Sequence, residues 1–287
     1  MKELVVISGK GGSGKTSVVS AFAQLADRPV LCDADVDAAD LHLILTPHVR
    51  HENEFMAGHT AIIDPDRCTG CGVCVEMCRW GAISADYVVD PIVCEGCGVC
   101  YYFCEAGAVD FPENRSGHWY ISDTRFGPMV HARLGIAEEN SGKLVTLVRK
   151  QAAEICRADG HDILITDGPP GVGCPVIAAI GGASAVLIVT EPTLSGKADM
   201  ERVAALARHF NVPAMLCINK FDLNETIAGE ITAFAEAADV ALVGRIPFDP
   251  AVTKSMVQAQ TVLEYDATAP SALAVRDLWD RVAGRLA

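Results

Sequence analysis

The sequence lacks the features that would place the protein on nucleic acid or in a membrane. Basic residues are scarce, with 23 Lys and Arg against 37 Asp and Glu for a net charge of −14. This balance argues against binding nucleic acid or anionic lipid, because both need a basic patch. No apolar run approaches the roughly 18 residues of a membrane span. The N-terminus enters a strand by Glu3 without the leader of a signal peptide. We therefore expect a cytoplasmic protein with no nucleic-acid partner and no membrane anchor.

Cysteine, in contrast, is abundant. The chain carries 12 cysteines in 287 residues, and without a secretion signal this number points to metal binding rather than to disulfides. Half of the residues are hydrophobic, so the chain can bury a sizeable core. Its length has room for one large α/β domain and a small insert.

A glycine-rich stretch near the N-terminus predicts a phosphate site. Ser8–Ser17 reads Ser-Gly-Lys-Gly-Gly-Ser-Gly-Lys-Thr-Ser between an apolar run and a helix-like segment, which is the strand–loop–helix context of a P-loop. Glycines let backbone N–H groups turn toward phosphate oxygens, and the helix N-terminus adds partial positive charge. We expect Lys15 at the terminal phosphates and the Thr16 hydroxyl on Mg²⁺. The residues expected around the nucleotide phosphates are Gly9, Gly11, Gly12, Ser13, Gly14, Lys15, Thr16 and Ser17.

A second lysine, Lys10, lies inside this loop. The resulting Lys-Gly-Gly-Ser-Gly-Lys-Thr resembles the deviant Walker A motif of the MinD/ParA-like ATPases. In that family the extra lysine typically crosses a dimer interface to the partner's nucleotide. The resemblance therefore implies an ATP sandwich, formed with a second copy or a closely related paralogue, in which Lys10 is catalytic in trans.

Carboxylates end two further apolar segments. Asp33 and Asp35 lie at the end of one, and Asp167 lies at the end of another. Beside a P-loop, such carboxylates can hold Mg²⁺ through water or position an attacking water. In the deviant Walker A family an Asp-x-Asp at this place is the first switch, so the resemblance implies that Asp35, with Asp33 close behind, positions the water. Asp167 is expected to hold Mg²⁺ as the Walker B residue, together with Thr16 and Asp35.

Two later turns are expected to border the base. Asn219-Lys220-Phe-Asp222 follows an apolar strand and resembles the guanine-reading motif of GTPases. The same motif occurs in MinD/ParA-like ATPases, where the asparagine meets adenine. The N-terminal loop favours ATP, and GTP stays the alternative. The turn that contains Pro247 and Asp249 completes the expected base site.

Eight of the cysteines form a repeated motif. Two segments, 26 residues apart, each read Cys-x₂-Cys-x₂-Cys-x₃-Cys and begin four residues after the Asp of an Asp-Pro pair. This is the spacing of bacterial two-cluster ferredoxins, in which the fourth cysteine ligates the other cluster. One [4Fe–4S] cluster is therefore expected on Cys68, Cys71, Cys74 and Cys104, and the other on Cys94, Cys97, Cys100 and Cys78.

Zinc is the alternative occupant, since paired Cys-x₂-Cys motifs also bind Zn²⁺. The duplicated x₃ arm favours clusters. The repeat departs from the ferredoxin pattern where proline normally follows the fourth cysteine, because Arg79 and Glu105 stand there instead. That proline is not a ligand, and opposite charges near the clusters could shift their potentials apart.

The order of these segments predicts the architecture. Strand–helix alternation gives an α/β, doubly wound, mostly parallel sheet of the P-loop NTPase type, with an inserted small α+β ferredoxin-like domain. We place the ATPase domain at 1–60 and 111–287 and the insert at 61–110. Residues 46–58 are expected to form an exposed connector and 111–117 a turn-rich exit. Residues 271–287 should form an amphipathic helix packed on the core rather than a membrane anchor.

The chain thus resembles a MinD/ParA-like ATPase carrying an inserted ferredoxin domain, which implies ATP, Mg²⁺ and two [4Fe–4S] clusters as cofactors. The favoured hypothesis is a Mg²⁺-dependent ATPase that matures a metalloprotein, with an apo-metalloprotein or redox partner. One alternative is an ATP-gated protein that delivers low-potential electrons. The other is a spatial-positioning ATPase whose clusters are structural.

Overall fold

The computed structural model describes residues 1–135 and 141–286. Residues 136–140 and 287, which fall within the expected 111–287 part, lie outside the described residues. The strands are β1 (Lys2–Ser8), β2 (Val30–Asp33), β3 (His48–His59), β4 (Ile62–Ile63), β5 (Val109–Asp110), β6 (Glu113–Asp123), β7 (Pro128–Leu134), β8 (Ile163–Pro170), β9 (Ala185–Thr190), β10 (Ala214–Asn219) and β11 (Ala241–Ile246). The helices are α1 (Lys15–Leu25), α2 (Leu41–Leu45), α3 (Val73–Met77), α4 (Val99–Tyr102), α5 (Ser141–Ala158), α6 (Cys174–Ile180), α7 (Leu194–His209), α8 (Glu225–Ala237), α9 (Pro250–Val257), α10 (Val262–Tyr265) and α11 (Pro270–Leu286).

Nine of the described strands form one sheet, in the order β11-β10-β9-β1-β8-β2-β7-β6-β3. From β11 to β7 the neighbours pair in parallel. Strands separated by helices favour this arrangement, because parallel neighbours need a crossover connection. β1 is central, with Val5 between Thr166 of β8 and Val186 of β9. The predicted mostly parallel α/β sheet is confirmed.

Helices cover both faces of this sheet. Alternate residues of a strand point to opposite faces, and Leu4 and Val6 of β1 join a core shared with α1 and α11. Val5 and Ile7, on the other face, are equally buried, and α5, α6 and α7 also contact the strands. The expected C-terminal helix is confirmed as α11, which packs on the core through residues such as Leu278.

The chain divides into two compact units. The first comprises Met1–Asn53, Trp119–Arg133 and Ser141–Ala287, and the second comprises Glu54–His118 and Leu134–Asn140. The shared core of the large sheet belongs to the first unit. The second contains the antiparallel pair β4–β5 and the short helices α3 and α4.

The second unit repeats one backbone pattern twice, as its sequence does. The N–H groups of Cys68 and Cys94 each donate to the carbonyl four residues earlier, both at 3.0 Å. Gly72 and Gly98 precede α3 and α4 with φ of +83° and +73°. Glycine is favoured there because a Cβ disfavours positive φ. The two cysteine motifs therefore share one local fold.

Two sequence expectations about connections were wrong. Residues 46–58 were expected to be a connector, but β3 runs through most of them; only Phe55 and Ala57 of this strand are buried. Such an exposed strand carries no clear alternation of apolar and polar residues. Residues 111–117 were expected to be a turn-rich exit, but β6 begins at Glu113.

Candidate functional site

The P-loop geometry explains two of its glycines. Gly14 precedes α1 with a φ of +93°, where L side chains are strained. A Cβ at Gly14 would lie 2.3 Å from Nδ2 of Asn219, and one at Gly9 would lie 2.2 Å from Cβ of Asp199. Neighbouring elements are thus packed tightly against the loop at these two glycines.

The other loop residues lie on the loop or on the first turn of α1. Gly12 has a φ of +79°. Ser13 is buried, and Thr16 and Ser17 follow Lys15 on α1. The hydroxyl of Ser17 lies 3.5 Å from Sδ of Met256.

The predicted carboxylates gather at one edge of the sheet. Asp33 of β2 and Asp167 of β8 are register partners on adjacent parallel strands. Asp33 is buried and accepts hydrogen bonds from the N–H groups of Asp35 and Leu41, both at 3.2 Å. Nζ of Lys15 lies 3.7 Å from Oδ2 of Asp35. The structure thus brings the loop lysine and all three carboxylates together.

Burial raises the pKa of each of these carboxyl groups. The pKa of Asp35 rises to about 6, because burial outweighs the opposing effect of the Lys15 ammonium. The pKa of Asp167 rises to about 7 for the same reason, with Lys15 and Thr16 opposing. That of Asp33 rises well above its usual range through burial and then through its neighbours Asp167 and Asp35. Negative charge is crowded here, so a bound cation would be favoured.

Two buried polar groups at this edge fit a nucleotide and Mg²⁺. Neither carboxylate oxygen of Asp167 has a hydrogen-bond partner of normal geometry within the described residues, although Thr16 is close enough to lower its pKa. The Ser13 hydroxyl likewise has none in the described part of the chain. Buried polar groups are seldom left unpaired. Asp167 would hold Mg²⁺ through water and Ser13 would meet phosphate.

Lys10 contacts its own chain. Its Nζ lies 3.4 Å from the Thr193 hydroxyl, 3.3 Å from the Ser195 hydroxyl and 3.9 Å from Oε2 of Glu191. Glu191 also accepts from Lys220 at 2.5 Å. The segment directly after β9 therefore contacts the ammonium groups of both Lys10 and Lys220.

The expected base residues tie the adjacent loops together. The Asn219 amide donates to the Ser13 carbonyl at 2.8 Å, and Oδ1 of Asp222 accepts from the N–H of Phe248 at 2.7 Å. Asp249 caps α9 and accepts from the Ser271 hydroxyl at 2.8 Å. Pro247 lies half-buried between β11 and α9. The Asp249 carboxylate is thus engaged in structural contacts.

Sequence reasoning missed the residues after β9. Glu191 follows a buried strand next to β1, the same signal that identified Asp33 and Asp167. Thr193 caps α7 by accepting from the N–H of Gly196 at 2.9 Å, and a cap residue after an apolar strand is a detectable pattern. Asp199, which packs against Gly9, has no local sequence pattern that would identify it.

The eight repeated cysteines line two cavities in the second unit. One cavity is lined by Cys78, Cys94, Cys97 and Cys100. The other is lined by Cys68, Cys71, Cys74 and Cys104. Each set of four is one of the two sets expected from the sequence, including the exchange of the fourth cysteine. All eight thiols are free in the structure.

The remaining cysteines are separate from these cavities. Cys32, Cys156 and Cys217 are buried, and Cys174 is exposed at the start of α6. Across the described residues, no group of three or more His, Cys, Asp or Glu side chains converges on a single metal ion. In the same ranges, no helix is long and apolar enough to cross a membrane.

Comparison with known proteins agrees with the site in the first unit. Residues 4–262 match the model of the CobQ/CobB/MinD/ParA nucleotide binding domain. The uncharacterized protein MJ0578 of Methanocaldococcus jannaschii is 31% identical over 98% of this chain and 96% of its own length.

Two solved structures share the fold. The cell division ATPase MinD of Pyrococcus furiosus has a TM-score of 0.61 at 18% identity, covering 99% of each chain. The septum site-determining protein MinD of Pyrococcus horikoshii, complexed with Mg-ADP, has a TM-score of 0.60 at 18% identity, covering 100% of this chain and 98% of its own. With the family model spanning most of its length, the chain belongs to the CobQ/CobB/MinD/ParA family of nucleotide-binding proteins.

Proposed function

We propose that the protein is a Mg²⁺-dependent ATPase that carries two [4Fe–4S] clusters in its second unit and serves the maturation of a metalloprotein. One observation carries the cluster half of this proposal. Two separate cavities are each lined by four cysteines, and the sets are those that the ferredoxin spacing assigns. When bound, the clusters would supply one-electron redox chemistry.

The nucleotide half rests on the sheet edge of the first unit. Lys15 would meet the terminal phosphates, while Thr16, Asp35 and Asp167 would hold Mg²⁺. The buried Asp167 oxygens, which have no hydrogen-bond partner of normal geometry in the described part of the chain, and the raised pKa of Asp35 support a cation there. Asp35, with Asp33 behind it, would position the attacking water. The Mg-ADP complex of a structural neighbour supports the same ligand class.

Clusters are favoured over zinc in the cysteine cavities. The duplicated Cys-x₂-Cys-x₂-Cys-x₃-Cys spacing is that of two-cluster ferredoxins, in which the fourth cysteine joins the other set. Each cavity is lined by one of the two sets that this spacing assigns. Simple zinc sites with paired Cys-x₂-Cys motifs have no need of this exchange.

A dimer is part of the proposal. Lys10 is held by neutral hydroxyls and by the carboxylate of Glu191 at long range, so it can exchange these contacts for a partner's nucleotide. The partner would be a second copy or a closely related paralogue. ATP binding would then close the two copies, and the switch containing Asp33 and Asp35 would rearrange. Delivery of low-potential electrons to a partner remains the alternative use of this motion.

A spatial-positioning ATPase is the second candidate function. The observation that favours it is the name of the structural neighbour, a septum site-determining protein. In this case the clusters would be structural, and serine substitution of Cys71 or Cys97 would leave the ATP-dependent positioning intact provided the fold survives. In a maturation factor the same substitutions abolish transfer of iron or electrons to an apo-client.

The test is anaerobic. Reconstituted protein is expected to hold about eight irons, Cys71→Ser and Cys97→Ser each to lose about half of them, and the matched control Cys174→Ser to lose none. EPR-monitored redox titration then compares the clusters with and without ATP in a hydrolysis-slowed Asp35→Ala variant. A shift of the reduction potential above about 60 mV, which is a tenfold change in the equilibrium constant for one electron, supports coupling between the clusters and the nucleotide. If the reconstituted protein binds no iron, or if neither substitution changes its iron content, the cluster proposal is contradicted.

A further inference from the structure

The second unit carries an open groove of about 730 Å³, lined by residues within 60–65, 68–70 and 86–91. We call it the Ile62–Val88 groove after two of its exposed apolar residues. The Ile62 side chain is 53% exposed and that of Val88 is 65% exposed. Exposed aliphatic residues are ordinary when scattered singly. Here they line one concavity together with Pro65 and Pro91, which is the form of a docking surface.

The groove shares a wall with one of the cysteine cavities. Cys68, Thr69 and Tyr87 line both the groove and the cavity of Cys68, Cys71, Cys74 and Cys104. Tyr87 is fixed in this wall, because its hydroxyl donates to the Gly70 carbonyl at 2.7 Å and its φ of +62° is unusual for a residue with a Cβ. Whatever occupies the groove therefore contacts residues that also line that cavity.

Charge indicates the kind of occupant. Residues 54–118 contain ten acidic residues, three arginines and no lysine, for a net charge of −7 with neutral histidine. Asp86 lines the groove and is exposed, and exposed Asp66 and Asp90 directly follow or precede lining residues. Of the arginines, Arg67 donates to Asp64 and Asp110. The rim is thus acidic around an apolar floor.

We propose that the Ile62–Val88 groove docks a partner protein through an apolar surface patch ringed by lysine or arginine. This inference rests on the proposed function, since it names where the redox or apo-metalloprotein partner would approach a cluster. A basic partner gains electrostatic complementarity with the rim, and the apolar floor supplies the buried centre of the contact. The second unit of another copy is a poor match for this groove, because its residues 54–118 carry the same net charge of −7.

The test uses ferric cytochrome c, a small protein whose apolar haem edge is ringed by lysines, as the probe. Its binding to the reconstituted full-length protein is titrated at 0.1 M salt, where charges beyond about 10 Å are screened. Asp86→Lys is expected to weaken binding about tenfold or more, and Glu76→Lys, an exposed charge outside the groove, by less than about twofold. Carbodiimide, which joins a carboxylate to a lysine amine with loss of water, should crosslink the probe at Asp86 or Asp66.

The apolar floor is tested without a change of charge. Ile62→Ser and Val88→Ser are each expected to weaken binding about fivefold, because less apolar area is buried on docking. Ile92→Ser is the matched control, since Ile92 is 84% exposed and lies outside the groove lining. If Ile62→Ser and Ile92→Ser weaken binding equally, or if binding is insensitive to Asp86→Lys, the proposal that the groove is a docking surface is overturned.

Two further readouts separate the groove from the clusters. Iron content, measured on every sample, reports the proposed function independently of binding. Groove-dependent binding in a protein that never acquires iron overturns the cluster proposal but leaves the groove as a docking surface. If Ile62→Ser instead changes the oligomeric state measured by light scattering, the occupant is a second copy and the basic-partner proposal is wrong.

Discussion

The two units differ in how much apolar surface they bury. In the first, a continuous core spans the sheet and its helices. In the second, the fully described segment Glu54–His118 buries only seven apolar residues, four of which are alanine, while Trp80, Tyr102 and Phe103 are exposed. Small units that cannot bury enough apolar area need disulfides or metals. The comparison leads us to expect that a ligand held by the cysteines would stabilise the second unit as well as supply its chemistry.

The largest expected effect follows from removing iron. Protein prepared without clusters, or with both Cys71→Ser and Cys97→Ser, should lose amide-exchange protection across the second unit by orders of magnitude, because the segment retains too little core. The amides of β1 and β8 should keep their protection. The control is Cys174→Ser, which lies outside both cavities. Unchanged exchange in the iron-free second unit would show that its fold does not depend on the cysteines' ligand.

The next effect concerns the first unit and its nucleotide. Mg-ATP at a hundred times its Kd should raise the free energy of unfolding by about 2.7 kcal/mol. Lys15→Met should remove most of this gain, because the buried Lys15 ammonium faces Asp35 at the expected phosphate site. Thermal unfolding with and without Mg-ATP measures it, and Lys254→Met on α9 is the control. A full ATP response in Lys15→Met would disprove the assigned role.

A smaller effect tests how tightly the phosphate loop is packed. Gly14→Ala should destabilise the protein by about 2 to 3 kcal/mol, because a Cβ is strained at this φ and would collide with the Asn219 amide. Gly11→Ala is the matched control, since within the described residues a Cβ there meets no atom inside 4 Å. Denaturant unfolding of both variants gives the comparison. Equal losses would contradict the contact with Asn219.

Sequence alone could predict the parts of both units that depend on local patterns. Buried strands followed by Asp33 and Asp167 identified the sheet edge, and the spacing of eight cysteines identified the two sets that line the cavities. These signals are strong because each requires particular residue types at fixed separations.

What the sequence could not predict depends on distant contacts. The strand β3 was missed because most of its residues are exposed and carry no periodicity. The packing of Asp199 against Gly9 joins residues far apart in the chain, and no local motif encodes it. The groove beside Cys68 arises only when residues near 62 and near 88 are brought into one concavity.

The smallest expected effect is the part of the pH dependence of the free energy of unfolding that comes from one buried histidine of the first unit. His131 of β7 is buried, its Nε2 lies 2.9 Å from the Ser122 hydroxyl, and its ring stacks against Tyr120 and, at 6.3 Å, His42. Burial, with a smaller contribution from His42, lowers the pKa of His131 to about 4. Protonation of this ring is therefore disfavoured in the folded state.

The sign follows from proton binding. Between pH 6.5 and about 4 the unfolded chain binds a proton at position 131 that the folded chain does not, so the free energy of unfolding falls as the pH falls through this window. The loss should reach about 2 kcal/mol relative to His131→Gln, which has no ring to protonate. Urea unfolding at pH 7 and pH 4.5 measures the difference, with exposed His209→Gln as the control. The carboxylates titrate equally in all three proteins and therefore cancel in the comparison. If the difference in free energy of unfolding between wild type and His131→Gln stays constant with pH, position 131 contributes packing alone.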